Sequence, residues 1–239
     1  MNQPQENSKL VTWCGYLGLT FLAALPLSVL IVRSGLWQQG LLLYALSCMG
    51  ALVLLALLVI LLLVPGFKSW RREMLKRGLL VLPGSLLFIA LVAGRGDIPP
   101  IHDITTDTID PPFFSAADTV RAGSPNSLAI EPDTIAQQLV AYPELATIRN
   151  GDSVEDNFDR ALSTAKAMGW QVFHSDRDRG AIEATDTTAV MAFKDDIVIR
   201  IRADGGETLV DLRSVSRVGV SDLGANAKRI ASFEEKFRR

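Results

Sequence analysis

Cysteine is absent from residues 98–239, because both cysteines of the 239-residue chain, Cys14 and Cys48, lie in its first half. The second half can therefore neither be held by a disulfide nor use a thiol as a nucleophile. The chain also lacks a Gly-x-Ser-x-Gly elbow, a P-loop and a dinucleotide-binding glycine motif. We therefore expect no nucleotide cofactor, and the sequence indicates no other cofactor.

Charged residues are missing from three long apolar stretches of residues 1–97. Leu41–Val64 contains 24 residues without one Asp, Glu, Lys or Arg, and a membrane-spanning helix needs about 20 apolar residues. The sequence predicts three spans, at about 10–32, 41–64 and 78–94, which make residues 1–97 a membrane anchor in a lipid bilayer. A cleaved signal peptide is the alternative for the first stretch, but no small-x-small cleavage site follows it.

Charge differs between the two halves of the chain. Residues 1–97 carry a net charge of +5 and residues 98–239 one of −7, which add to −2 for the whole chain. Lys and Arg resist translocation, and five of them lie in the loop 65–77, so this loop and the N-terminus are predicted to be cytoplasmic. Residues 98–239 are then predicted to be periplasmic, beyond a bacterial inner membrane. Their acidity makes a nucleic-acid partner unexpected.

Residues 98–239 change from extended to helical and then to strand-like patterns. The Pro-rich residues 98–125 are predicted to be extended, because paired prolines disfavour a helix. Helical spacing and period-two alternation predict the other elements. The predicted helices are 131–139, 153–168 and 221–237, and the predicted strands are 170–174, 181–185, 196–202 and 208–217. This order predicts an α+β two-layer domain, with an antiparallel sheet of about four strands and helices on one face.

Three ordered motifs of the second half resemble a known family. They are residues 99–107 (PPIHDITTD), 180–185 (GAIEAT) and 213–230 (RSVSRVGVSDLGANAKRI). Residues of about 98–238 are thereby similar to the family of proteins of unknown function numbered 1499 (DUF1499). The resemblance implies a bacterial envelope protein, and members of the family often carry N-terminal membrane spans. It implies no reaction.

Four arginines are concentrated on one face of the predicted sheet. Period-two alternation places Arg200, Arg202, Arg213 and Arg217 on the polar side of adjacent strands. Guanidinium groups bind carboxylates and phosphates with paired hydrogen bonds. The helix predicted to begin at Ser221-Asp222 adds an N-terminus, which also favours anions. One hypothesis is therefore an anion-binding pocket for a carboxylate or a lipid headgroup. The alternative is ion pairing with acidic residues of the same sheet, namely Glu183, Asp195, Asp196 and Asp211.

Two polar residues of the last predicted helix extend this hypothesis. Asn226 and Arg229 are three residues apart, so their side chains can meet. Asp222 and Asn226 are four apart and are predicted to share one side of the helix. These residues either belong to the anion-binding pocket or form a structural clamp that ties the helix to the arginine-bearing face.

Metal and nucleophile sites are two further possibilities. His102, Asp103 and Asp107 are possible ligands of a divalent metal, but the alternative is turn chemistry, in which short polar side chains accept backbone N–H hydrogen bonds. No metal is expected. A triad-like group such as Ser216 or Ser221 with His102 would favour an enzymatic function, since triad members can be distant in sequence.

The sequence therefore predicts a membrane-anchored envelope protein with an anchor, 1–97, and an extracytoplasmic domain, 98–239. The domain is expected to be an interaction module or a binder of a small anionic or lipidic ligand, with an envelope protein or a lipid as partner. The alternative is a hydrolase or transferase that acts on envelope material. A closed apolar cavity with arginine at its mouth would favour lipid binding, whereas an exposed apolar patch would favour a protein partner.

Overall fold

In a computed structural model, the chain is described at residues 3–94, 96, 98–121 and 123–239. It divides into two compact units, Met1–Gly96 and Asp97–Arg239. Each unit has its own hydrophobic core. The first unit consists of helices α1 (Gln3–Arg33), α2 (Trp37–Leu63) and α3 (Arg71–Gly94), with a 3₁₀ helix, Pro65–Trp70, before α3.

The three predicted apolar helices of the first unit are confirmed. Each is long and apolar enough to cross a membrane, so the chain has the helices of a membrane protein. The third helix begins at Arg71 rather than at the predicted residue 78. Lys76 and Arg77 each pair with Glu73 one turn earlier, and such pairs stabilise a helical turn that the apolar pattern alone does not reveal.

Close helix packing in the first unit depends on small residues. A Cβ on Gly84 would lie 2.9 Å from the Cβ of Ala51, so this glycine lets α3 approach α2. Buried side chains of the three helices, including Cys14, Leu58 and Met74, form one core cluster. Many large apolar side chains point outward instead, for example Leu42, Ile60 and Leu79. This outer surface is consistent with a lipid bilayer environment.

The second unit is built on one antiparallel sheet, as predicted. Its order is β1–β6–β5–β4–β3, and β2 also pairs with β6. The strands are β1 (Asp103–Thr105), β2 (Ile148–Asn150), β3 (Gln171–Asp176), β4 (Ala181–Thr187), β5 (Lys194–Asp204) and β6 (Glu207–Ser216). The predicted count of four was therefore too low. β1 and β2 contain three residues each, which is too short for a recognisable alternation.

The core of the second unit lies between the sheet and two helices, α6 (Val154–Ala167) and α7 (Ala225–Phe237). The helix predicted at 153–168 is present as α6, and Ser153 caps it with a hydroxyl that accepts the Asp156 N–H at 3.0 Å. Phe233 of α7 stacks between Trp170 and Phe237, with ring centroids 5.5 and 5.7 Å away. Two other helices are α4 (Ala117–Val120), within the segment predicted to be extended, and α5 (Pro132–Ala141).

The last helix does not begin at Ser221, which corrects the prediction. The Ser221 hydroxyl accepts the Leu223 N–H at 3.2 Å, and the Asp222 carboxylate accepts the Gly224 N–H at 2.8 Å. These are bonds to the backbone two residues ahead, which form turns that compete with a helix. Gly224 then has φ of 81°, and α7 starts at Ala225.

Candidate functional site

The predicted arginines of the sheet lie on the face opposite α6 and α7. Arg200 is paired across the strands with Asp211, and Val198 with Arg213, so these side chains share one face. Ile199, one residue along, belongs to the core beneath the helices. The arginine-bearing face is not simply a solvated polar face, because residues 106–121, the cover segment, bond to its side chains.

Arg213 is the most buried of the four predicted arginines and forms an ion pair with Asp103. Only 2% of its side chain is exposed, and its Nε and Nη2 lie 2.9 and 2.6 Å from the two carboxylate oxygens of Asp103. Its guanidinium also donates to the carbonyl oxygens of Pro112 and Leu128 and lies 5.6 Å from the ring centroid of Phe114. Arg213 therefore joins β6 to β1 and to the cover segment, with its donors directed at protein groups.

Asp196 joins two arginines from different parts of the chain. Its carboxylate accepts hydrogen bonds from Arg217 Nε at 2.9 Å and Nη2 at 2.7 Å. It also accepts one from Arg121 of the cover segment at 2.5 Å and one from the Thr185 hydroxyl at 2.8 Å. The carboxylate is fully buried, so a single negative charge inside the domain is shared by the two guanidiniums.

Glu183 fastens the cover segment to β4 through backbone groups. Its carboxylate accepts the N–H groups of Ser115 and Ala116, at 2.6 and 3.0 Å, and the Ser115 hydroxyl at 2.5 Å. Glu183 is fully buried. An acidic residue that the sequence analysis considered as a partner for arginine therefore binds the loop instead.

Arg200 and Arg202 lie toward the open edge of the same face. Arg200 is 3.0 Å from both Asp211 and Asp107 and 2.8 Å from Asp110. Burial acts to raise the pKa of Asp107, but the N–H groups of Asp110 and Ile109 and the charges of both arginines lower it below its usual value. Asp107 therefore remains a charged partner of these arginines at neutral pH.

The structure places Asn226 and Arg229 on the opposite face of the sheet from the four arginines. Asn226 is bonded to the hydroxyls of Ser214 and Ser216, which alternate with Arg213 along β6. Arg229 bonds to Asn226, as the three-residue spacing predicted, and also to Asp195 and Ser214. Six of the eight residues predicted for one pocket are thus divided between the two faces of the sheet. A polar clamp is present, but it ties α7 to its own face of the sheet.

Ser221 and Asp222 precede α7 and belong to neither arginine cluster of the sheet. The Asp222 carboxylate accepts the Asn226 N–H at 3.0 Å, and the Ser221 hydroxyl is 3.5 Å from the Pro99 carbonyl oxygen. Both side chains are engaged with backbone groups. The spacing predicted that Asp222 and Asn226 share one side of a helix. Asp222 instead lies before the first residue of α7.

The candidate metal ligands point to different partners. Asp103 binds Arg213, whereas one oxygen of Asp107 accepts the N–H groups of Ile109 and Asp110, the turn chemistry expected for it. Within the described residues, no group of three or more His, Cys, Asp or Glu side chains is placed to hold a metal ion. His102 enters the described hydrogen bonds through its carbonyl oxygen, which accepts from Ser216 N–H and Asn226.

A polar groove lies at the edge of the arginine-bearing face. It has a volume of about 600 Å³, and its walls include Thr106, Asp107, Thr147, Arg149 and Arg202. Arg202 is 38% exposed and lies 3.4 Å from Asp107 and 3.7 Å from Asp211. Arg149 is 54% exposed, and its nearest carboxylate oxygens are 3.7 and 3.9 Å away. Both guanidiniums therefore keep hydrogen-bonding capacity that Arg213 and Arg217 do not.

An apolar groove lies beside α5, at a position that the sequence analysis did not identify. It has a volume of about 700 Å³, and its lining is Ile98, Pro99, Ala136, Gln137, Val140, Ala141 and Tyr142. Val140 is 85% exposed. The Tyr142 hydroxyl is buried and has no hydrogen-bond partner among the described residues, although buried hydroxyls are nearly always bonded.

The surroundings of Tyr142 keep its hydroxyl protonated. Burial raises the pKa of Tyr142, and the negative charges of Asp222 and Glu144 raise it further. Burial also raises the pKa of Asp222, against hydrogen bonds from the Gly224 and Asn226 N–H groups that lower it. A phenol with a raised pKa remains an O–H donor at neutral pH, so Tyr142, which lines the groove, keeps a buried O–H donor.

The roles of two residues, Tyr142 and Asp103, could not be predicted from the sequence. Tyr142 lies just beyond the helix predicted at 131–139, and Asp103 was considered only as a possible metal ligand. The sequence does not indicate which residue Asp103 contacts, because Arg213 is far from it along the chain. No sequence pattern indicated the apolar groove. The exposed side chain of Val140 on α5 becomes evident only in the structure.

The fold and its sites define a class of protein with three candidate membrane-spanning helices followed by an α+β domain on an antiparallel sheet. The chain belongs to the family described as protein of unknown function (DUF1499), whose model matches residues 103–237. This match covers more than half of the chain and coincides with the sheet and the helices α4–α7. A comparison with curated proteins finds no match.

Proposed function

We propose that the second unit is a lipidic-ligand-binding domain that the three helices anchor at a membrane, and that its binding site is the apolar groove beside α5. The observation that carries this proposal is a groove of about 700 Å³ with a largely apolar lining, which includes Tyr142 with its buried, unpartnered hydroxyl. Small-molecule sites are typically concave, mostly apolar and about 300–1,000 Å³ in volume, with few polar groups.

The proposed ligand carries an acyl chain and a hydrogen-bond acceptor. The apolar wall formed by Ala136, Val140 and Ala141 suits a hydrocarbon chain, while the Tyr142 O–H suits an ester or carboxyl oxygen. No arginine lines this groove among the described residues, so the site lacks the arginine at its mouth that would have favoured lipid binding. The bilayer itself supplies such ligands to a membrane-anchored domain.

We also propose the orientation that the charge pattern favours. The basic loop 65–77 and the N-terminus are then cytoplasmic, and the domain of residues 98–239 is periplasmic at a bacterial inner membrane. Support comes from the resistance of Lys and Arg to translocation. The groove would then take a lipid or lipoprotein acyl chain from the outer side of that membrane.

Filling the groove is expected to abolish labelling by a lipidic probe. Full-length protein in nanodiscs is exposed to a photoreactive fatty acid, and the tryptic peptide 122–149, which contains α5, is analysed by mass spectrometry. Ala136→Trp should reduce its labelling at least about tenfold, the effect of 1.4 kcal/mol of lost binding free energy. Labelling of the membrane helices serves as the internal reference.

The matched control is Ile109→Trp, which places the same side chain at an exposed position outside the apolar groove. It should leave labelling of peptide 122–149 unchanged. Tyr142→Phe should weaken labelling by the fatty acid more than labelling by a photoreactive hydrocarbon, because only the fatty acid can accept the O–H hydrogen bond. Equal labelling of the Ala136→Trp variant and the unmodified protein would refute the proposal.

A second candidate function is binding of a small anion in the polar groove. The observation that favours it is the incomplete pairing of Arg202 and Arg149 in that groove, with nearest carboxylate distances of 3.4 and 3.7 Å. Arginine binds phosphate through two parallel hydrogen bonds. This site retains Arg202 from the sequence hypothesis and adds Arg149.

Inorganic phosphate is expected to stabilise the domain through this groove. At constant ionic strength, phosphate should raise the thermal unfolding midpoint relative to chloride, because a ligand of the folded state stabilises it. The double variant Arg149→Gln/Arg202→Gln should lose this increase. The control is Arg179→Gln, which removes an exposed guanidinium outside the groove, and an equal loss in the control would show that the effect is not site-specific.

A further inference from the structure

A second polar groove lies in the first unit, between α1 and α3. It has a volume of about 400 Å³, and its lining includes Tyr16 from α1 and Glu73, Lys76 and Arg77 from α3. Leu19 and Leu80 provide apolar walls. The groove therefore combines two cations with apolar surface inside a helical bundle that is suited to a bilayer.

The absence of a side chain at Gly15 creates the space for Arg77. A Cβ at residue 15 would lie only 2.6 Å from Arg77 Nε, so the guanidinium packs directly against the backbone of α1. The Arg77 side chain is 20% exposed and reaches Glu73 with one bond of 3.3 Å. Among the described residues, this is its only side-chain hydrogen bond, although a guanidinium carries five N–H donors.

The groove has an excess of positive charge. Lys76 Nζ lies 3.0 Å from the other oxygen of Glu73, so one carboxylate is shared by two cations. The neighbouring 3₁₀ helix and the start of α3 add Lys68, Arg71 and Arg72. This end of the bundle consequently attracts anions, and anionic headgroups bind in basic pockets between membrane helices.

Two aromatic side chains indicate at which level of a bilayer the groove lies. Trp13 and Tyr16 are both exposed on α1 and pack edge to face, with ring centroids 5.9 Å apart. Trp and Tyr favour the boundary between hydrocarbon and headgroups. The cations of the groove therefore lie where a bilayer presents its phosphate groups.

We propose that this groove binds the phosphodiester of an anionic phospholipid, with Arg77 and Lys76 on the phosphate oxygens and Leu19 and Leu80 against the glycerol and the first methylenes. Arg77 provides a forked donor, and Lys76 provides a mobile charge. A soluble phosphate ester would offer these cations the same phosphate group. The apolar walls formed by Leu19 and Leu80 favour a lipid over a soluble ester.

The test measures lipid retention by full-length protein. Protein is released from nanodiscs of mixed phosphatidylglycerol and phosphatidylcholine, and retained lipids are counted by native mass spectrometry. We expect phosphatidylglycerol to be retained at least about tenfold over phosphatidylcholine, as a charge-assisted contact implies. Arg77→Gln should remove this preference. Gly15→Ala, which keeps every charge but displaces the guanidinium, should reduce it as well.

The matched control is Arg72→Gln, which removes one exposed charge at the same end of the bundle outside the groove. It should change the preference less than about twofold. An equal loss in Arg72→Gln and Arg77→Gln would overturn the proposal in favour of general surface charge. Competition by glycerol 3-phosphate as effective as that by the lipid would overturn the lipid assignment. Gly15→Ala and Lys76→Gln keep the test decisive if Arg77→Gln fails to fold.

Discussion

Replacement of Arg213 by alanine is expected to lower the free energy of unfolding of the second unit by about 3–5 kcal/mol, the cost of leaving one partner of a buried ion pair alone. The lost guanidinium leaves the Asp103 carboxylate without its two bonds of 2.9 and 2.6 Å. It also leaves the carbonyl oxygens of Pro112 and Leu128 without this donor. Hydrogen exchange of β5 and β6 peptides in increasing urea measures the change.

The control for this prediction is Arg202→Ala, whose guanidinium is partly exposed and lies 3.4 Å from its nearest carboxylate. We expect it to cost less than about 1 kcal/mol. The double variant Asp103→Leu/Arg213→Met removes both charges, and buried pairs replaced by apolar residues often lose little stability. It should therefore be more stable than Arg213→Ala. Similar costs for Arg202→Ala and Arg213→Ala would contradict the structural role assigned to Arg213.

Asp196→Asn is expected to produce the second large effect, again about 3–5 kcal/mol, because it leaves two buried guanidiniums without a negative partner. The amide keeps one acceptor oxygen, so it can retain either the Arg217 Nη2 bond of 2.7 Å or the Arg217 Nε and Arg121 bonds of 2.9 and 2.5 Å, but not all three. The second consequence is local. Arg121 holds the cover segment, so its release should expose the chain to trypsin at this residue.

Limited trypsin digestion of the full-length protein distinguishes these two consequences. In the unmodified protein Arg121 is buried, so cleavage after it should be slow. Asp196→Asn should accelerate that cleavage by more than its effect at the exposed Arg179. Asp110→Asn removes an exposed carboxylate paired with Arg200, and it should leave both the cleavage rate and the stability nearly unchanged. An equal response of the two variants would contradict the role of Asp196.

Predictions from local pattern succeeded where the physics is local. Residues 41–64 contain no charged residue, and the length of this stretch alone predicts a helix that can cross a membrane. Ser153 caps α6 because its hydroxyl reaches an N–H three residues ahead. Alternation along β5 and β6 correctly separated the isoleucines from the arginines. The count of strands was wrong because the short β1 and β2 are strands only through their pairing with β6.

The candidate sites could not be predicted from local pattern, because they depend on contacts between distant residues. Arg213 and Arg217 have the sequence pattern of an anion-binding face, yet Asp103 and Asp196 compensate their charges. A spacing rule cannot reveal the Arg213 partner, because Asp103 lies 110 residues away and meets Arg213 through the pairing of β1 with β6. Asn226 and Arg229 do meet, but the position of α7 directs them to the other face of the sheet.

The sequence by itself determined the two-part organisation, since hydrophobic length and charge distribution act without any long-range contact. It also determined the family, through three motifs within residues 99–230. Only the tertiary structure decided which guanidiniums remain available for a ligand, because burial and pairing depend on segments distant in the chain. It also decided where the grooves lie. Tyr142 and Arg77 acquire their significance from the surfaces that pack around them, and packing is a property of the folded chain alone.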